Sequence, residues 1–81
     1  MAAAKARIRA SKRLMNELRE RDASLTDMLE NPDYSHLAEI HGSEWELARK
    51  EVWFQIDLAE AGLPDNEIAE DLAIWHESHR S

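Results

Sequence analysis

His76 and His79, in the run His-Glu-Ser-His, come closest in type and spacing to metal chemistry. Two imidazoles one helical turn apart can share an ion, but a zinc site needs a third or fourth protein ligand. The chain offers no Cys, no His-Glu-x-x-His and no repeated Glu-x-x-His, so the pair reads as two edge histidines. His36 and His41 are five apart, off one helical face, and add no ligand set. Catalytic chemistry is no better provided for. The sequence has no Gly-rich phosphate loop, no thiol nucleophile and no nucleophile elbow, and no spacing selects a Ser–His pair. Binding is therefore expected rather than catalysis, with no cofactor and no resident metal.

Charge is the stronger signal. Residues 1–21 carry seven Lys/Arg against two Glu, a net of +5. Residues 22–81 carry three Lys/Arg against fifteen Asp/Glu, a net of −12, which brings the whole chain to −7. The chain reads as one domain with a basic head (1–21) and an acidic body (22–81). Either the head folds back on the body, or it stays free for an anionic partner. Lys5, Arg9, Lys12, Arg13 and Arg19 share an arc opposite the apolar stripe of the first helix, which makes them the candidate nucleic-acid contacts. No aromatic residue is interleaved with them, which disfavours single-strand stacking, and none lies on the apolar face to anchor a membrane helix.

Composition predicts an all-α fold. Helix formers dominate, no alternating β-branched run occurs, and both Gly and both Pro fall at plausible helix ends. A chain of 81 residues without disulfides has a thin core, which favours a homodimer. No apolar run approaches the ~18 residues of a membrane span, and no apolar stretch follows the basic N-terminus as a secretory signal requires. A cytoplasmic protein is expected.

The pattern predicts a small bundle of three to four helices. The first starts near Ala2 and reaches Arg21, or Glu30 if Ser24 and Asp27 do not break it as a capping box. Unbroken, it is long enough to protrude. Asn31-Pro32 opens a short second helix, ended by Gly42 in the left-handed conformation. Ser43 and Glu46 form a capping box for a third helix, 44–61, stopped by Gly62. Pro64-Asp65 opens the fourth.

The third helix is the unusual one. Trp45, Ala48, Val52, Ile56 and Ala59 form one apolar face; Leu47, Phe54, Leu58 and Ala61 form a nearly opposite one, with Trp53 between. A surface helix needs only one apolar stripe. Either neighbouring helices cover both faces, or one is left for another chain. Leu47, Trp53, Phe54 and Leu58 are accordingly the candidate partner-binding or dimer residues. On the second reading Phe54→Asp leaves a folded protein without its partner; on the first it unfolds the domain.

Leu58–Ala73 resembles the opening half of a helix-turn-helix, with a Gly-Leu turn and a short helix carrying Ile68 and Leu72 at core spacing. Its turn is acidic, and only Ile74–Ser81 remain where a recognition helix would follow, so the segment reads as a helical hairpin. The favoured function is a non-enzymatic protein-binding regulator or inhibitor whose acidic surface complements a basic partner. A small acidic chain of this kind is compatible with a phage or mobile-element origin. The alternatives are a nucleic-acid-associated transcriptional regulator using the basic first helix, and a small structural or assembly subunit of a larger complex.

Overall fold

A computed structural model describes residues 9–79 and is all-α. Three helices, α1 (Lys12–Glu30), α2 (Ser35–Glu60) and α3 (Asp65–Ser78), are joined by a single 3-10 turn (Pro32–Tyr34) and a short loop. Among the described residues there is no strand. Lys5 and the expected start near Ala2 lie outside the described residues.

The first helix begins later than its composition suggests. Arg9 to Ser11 are not helical, and Ser11 is extended. Its hydroxyl accepts the Leu14 N–H at 3.1 Å, so Ser11 is the N-cap. The helix then runs unbroken through Asp22, Ser24 and Thr26 to Glu30. Half-buried Leu14, Met15, Leu25, Met28 and Leu29 flank the fully buried Leu18. That packing outweighs the weak local preference of Ser24 and Asp27 for a new start. Asn31 stops the helix: its side chain accepts the Asp33 N–H at 2.9 Å, and Pro32 takes the first position of the 3-10 turn.

The second and third expected helices are one. α2 passes through Gly42 and Ser43 without interruption, and Gly62 is the single glycine with positive φ, at 99°. Gly42 therefore sits in right-handed helix and Ser43 caps nothing. A helix interior tolerates glycine at about 1 kcal/mol, a cost that twenty-five other helical residues can absorb. Gly62 does end α2. Its N–H reaches the Ala59 carbonyl at 3.0 Å, and the Leu63 N–H reaches Leu58 at 3.1 Å, the paired bonds of a Schellman motif.

α1 and α2 form an antiparallel hairpin. Side-chain bonds from Trp53 to Asp22 and from Arg49 to Thr26 define its register. α3 folds back antiparallel on the C-terminal half of α2, where Phe54 stacks on Trp75 and Glu51 meets His76. The buried apolar core is small: Leu18 from α1, Val52 from α2 and Ile68 from α3, with Gln55 buried beside them. The Gln55 amide donates to the Glu51 carbonyl at 3.2 Å, so this polar group is satisfied. The molecule is elongated, with extents of 56 × 27 × 14 Å and a radius of gyration of 15.5 Å. A compact chain of this length has a radius near ~12 Å. α2 outruns α3, at about 39 Å long against about 21 Å. No described helix is long and apolar enough to cross a membrane.

Candidate partner-binding surfaces

The structure separates the four apolar residues that the sequence placed together. Phe54 is half-buried, its ring centroid 5.9 Å from that of Trp75 on α3. Leu58, one turn further on, is half-buried on the same stripe. Trp53 is 44% exposed but turned to the α1 edge. Its indole N–H donates to Asp22 at 2.8 Å, and the Arg49 guanidinium lies 4.7 Å over its ring. Cation–π contact and a charged acceptor together hold this ring in place. Leu47, by contrast, is 46% exposed.

The reason lies in helix length. Ile40, Leu47 and Phe54 recur every seven residues on α2, with Leu37 and Leu58 at either end. α3 covers this stripe only from about Glu51 onward, because α3 ends at Ser78, just beyond the His76–Glu51 contact. N-terminal to that level the stripe is bare: Leu37 is 37% and Ile40 69% exposed, and Tyr34 beside them is also exposed. Periodicity revealed two apolar faces. It could not reveal that the second face is covered along half its length, because that depends on where α3 ends.

A second surface is the outward side of α3. Asp65, Glu67, Glu70, Asp71 and Glu77 lie on this helix, which has no Lys or Arg. Ile74 is 65% exposed, with Glu67, Glu70, Asp71 and Glu77 at seven, four and three residues before it and three after. Helical geometry puts these carboxylates around the isoleucine. Ile74 was missed in the sequence because it lies off the Ile68–Leu72–Trp75 core stripe and looked like an isolated surface residue.

The basic arc is accessible in part. Arg9, Lys12, Arg13 and Arg19 are exposed, and Arg13 makes a 3.5 Å ion pair with Glu17. Within α1 four basic residues are interspersed with five carboxylates. Besides the packing of Leu18 in the core, side-chain hydrogen bonds at Ser11 tie the described part of the head to the body. Asp65, the first residue of α3, accepts the Ser11 N–H at 2.8 Å and the Ser11 hydroxyl at 2.9 Å.

The two candidate metal histidines do different things. The His76 ring N–H donates to Glu51 at 2.8 Å across the α2–α3 seam. The His79 ring stacks on Trp75, centroids 4.0 Å apart, and donates to the Trp75 carbonyl at 2.9 Å. Among the described residues no group of three or more His, Cys, Asp or Glu is placed to hold a metal ion. An open depression of about 440 Å³ lies between α1 and α2, lined by residues that include Glu17, Glu20, Arg21 and Met28. No protein family, curated protein or solved structure matches this chain.

Proposed function

We propose that this protein is a non-enzymatic regulator or inhibitor that docks a basic protein partner on the outward face of α3. The observation that carries this reading is the exposed Ile74 set among Glu67, Glu70, Asp71 and Glu77, on a helix without a single Lys or Arg. Isolated carboxylates on a helix are ordinary solvated groups. A large exposed aliphatic in their midst adds an anchor that can be buried in a partner's pocket. The surrounding negative field accelerates encounter with a basic surface and disfavours acidic competitors. Where that basic surface normally binds nucleic acid, the same face occludes it by occupying phosphate positions.

The test is photo-crosslinking from position 74 in cells that express the chain natively. The expected result is one dominant adduct with a basic protein, lost when Glu67, Glu70 and Asp71 are all changed to Lys. No adduct, or an adduct indifferent to that charge reversal, refutes the reading.

Exposure of Arg9, Lys12, Arg13 and Arg19 supports a second reading, phosphate binding by the basic arc. With Lys5 these are five contacts, for which log K against log salt has a slope near about −4.5 on duplex DNA. Fluorescence anisotropy with labelled duplex and single strands, at low and physiological salt, checks this directly. Absence of binding even at low salt removes it.

A further inference from the structure

We infer that the bare N-terminal half of the α2 stripe takes an amphipathic helix of another protein, one that carries a Lys or Arg within its apolar seam. This surface is separate from the outward face of α3, so the inference stands or falls independently of the function proposed above.

The stripe has coiled-coil spacing. Leu37, Ile40, Glu44, Leu47, Glu51 and Phe54 follow one another at alternating steps of three and four residues, the pattern of a seam on which a neighbouring helix packs. Glu44 and Glu51 hold equivalent places in that seam, one heptad apart. A carboxylate among apolar seam residues is costly to cover unless the covering helix brings it a donor.

α3 shows how this is met at the covered end. Its Trp75 stacks on Phe54, ring centroids 5.9 Å apart, and the next residue, His76, reaches Glu51 at 2.8 Å. The Glu51 side chain is left 23% exposed. An apolar ring thus meets the apolar position, and a nitrogen meets the acidic one. α3 ends at Ser78, and N-terminal to its reach the same pattern recurs on α2, with Leu47 in place of Phe54 and Glu44 in place of Glu51. Here Ile40 is 69% exposed and the Glu44 side chain 76%. The Glu44 carboxylate meets the ring of His41 on its own helix, at 3.3 Å.

Continuity with the α2–α3 seam sets the orientation. A helix that follows the line of α3 covers Leu37 to Leu47, about 15 Å of α2. Its N-terminus then faces the C-terminal end of α3, which brings opposite ends of two dipoles together.

Charge selects the occupant. A second copy centred on this stretch sets one Glu44 carboxylate against the other, and an anionic lipid surface meets the same negative charge. A helix with a seam Lys or Arg pairs with Glu44 as His76 pairs with Glu51, in a site that loses water on docking. Lys50 flanks the stretch at its covered end. The cation is therefore wanted opposite Glu44 and not along the whole partner helix.

The test is calorimetric titration of the full chain with two helix-locked peptides of about four turns, identical except for a Lys or a Glu within a leucine seam. The Lys peptide is expected to bind at least about tenfold more tightly than the Glu peptide, the scale of one charge-assisted bond. Glu44→Lys should reverse that preference. Ile40→Glu, at an exposed position, should abolish binding with helicity unchanged in circular dichroism, whereas Ile74→Glu on α3 should leave it intact. No binding up to about 1 mM peptide, equal binding of the two peptides, or a preference untouched by Glu44→Lys overturns the inference. A dimer of the peptide-free chain that Ile40→Glu dissociates assigns the stripe to a second copy and overturns it too. So does binding to phosphatidylserine vesicles that Ile40→Glu removes.

Discussion

Asp65 is the most economical place to test how the head is held. Its carboxylate accepts two bonds from Ser11, the N-cap of α1, at 2.8 and 2.9 Å, across 54 residues of sequence. It also stands in the first turn of α3, where negative charge is favoured by the helix dipole. Asp65→Ala removes all three effects. Each hydrogen bond contributes about 0.5–1.5 kcal/mol net, and solvent exposure puts these two in the lower half of that range. The dipole contributes about 0.3–1 kcal/mol. The expected loss is therefore about 1.3–3 kcal/mol. In a domain of this size that lowers Tm by about 5–24 °C. Asp65→Asn keeps one carbonyl acceptor and should lose roughly half as much. The matched control is Glu70→Ala, which removes the same charge from the exposed side of α3 without breaking a described bond. Urea unfolding followed by circular dichroism gives the differences. Amide exchange at Leu14, whose N–H is held by the Ser11 hydroxyl, reports whether α1 frays at its start. If Asp65→Ala costs no more than Glu70→Ala to within about 0.5 kcal/mol, the Ser11 contact does not fasten the head and the reasoning fails.

Other outcomes follow from the same packing. Gly42→Ala should stabilise the domain by about 0.5–1 kcal/mol in urea unfolding, because a methyl there meets only the Ala38 Cβ at 4.0 Å. Gly62→Ala should do the reverse, with a cost of about 1–2 kcal/mol, since its φ of 99° strains any other residue although the space is open. Val52→Ala removes two buried methyls from a very small core and should lower stability by about 2 kcal/mol. Phe54→Asp should release α3 from α2. The loss of the Phe54–Trp75 stack is then visible in near-UV circular dichroism, and retention of that signal would show that the ring is not a packing element.

How much of this was legible in the chain varies element by element. The all-α class follows from composition alone: with 43% apolar residues set at helical spacing and no alternating run, no strand can bury a face. Two boundary signals also worked locally. Gly62 stops one helix and Pro64-Asp65 opens the last, because each acts on backbone groups within a few residues. Asn31-Pro32, expected to open a helix, instead closes α1 and opens only a 3-10 turn. Gly42-Ser43 and Ser24-Asp27 have equally good local signatures and do nothing of the kind. A cap preference of about 1 kcal/mol is overridden when the residues on either side pack against the same neighbour.

The candidate surfaces depended still more on tertiary structure. Sequence periodicity determined that the helix through Trp53 has two apolar faces, since the positions of side chains around a helix follow from 3.6 residues per turn. Which of those side chains meet water was decided by the relative lengths of α2 and α3. Phe54 falls under α3, Trp53 is drawn to Asp22, and Leu37, Ile40 and Leu47 lie beyond these two contacts and stay exposed. The segregation of charge was likewise written in the chain, but Ser11 and Asp65, 54 residues apart, join the two halves. Local sequence determines propensity and pattern because these arise from bonded neighbours. Contacts across such separations are set by how the helices stack, which no residue encodes alone.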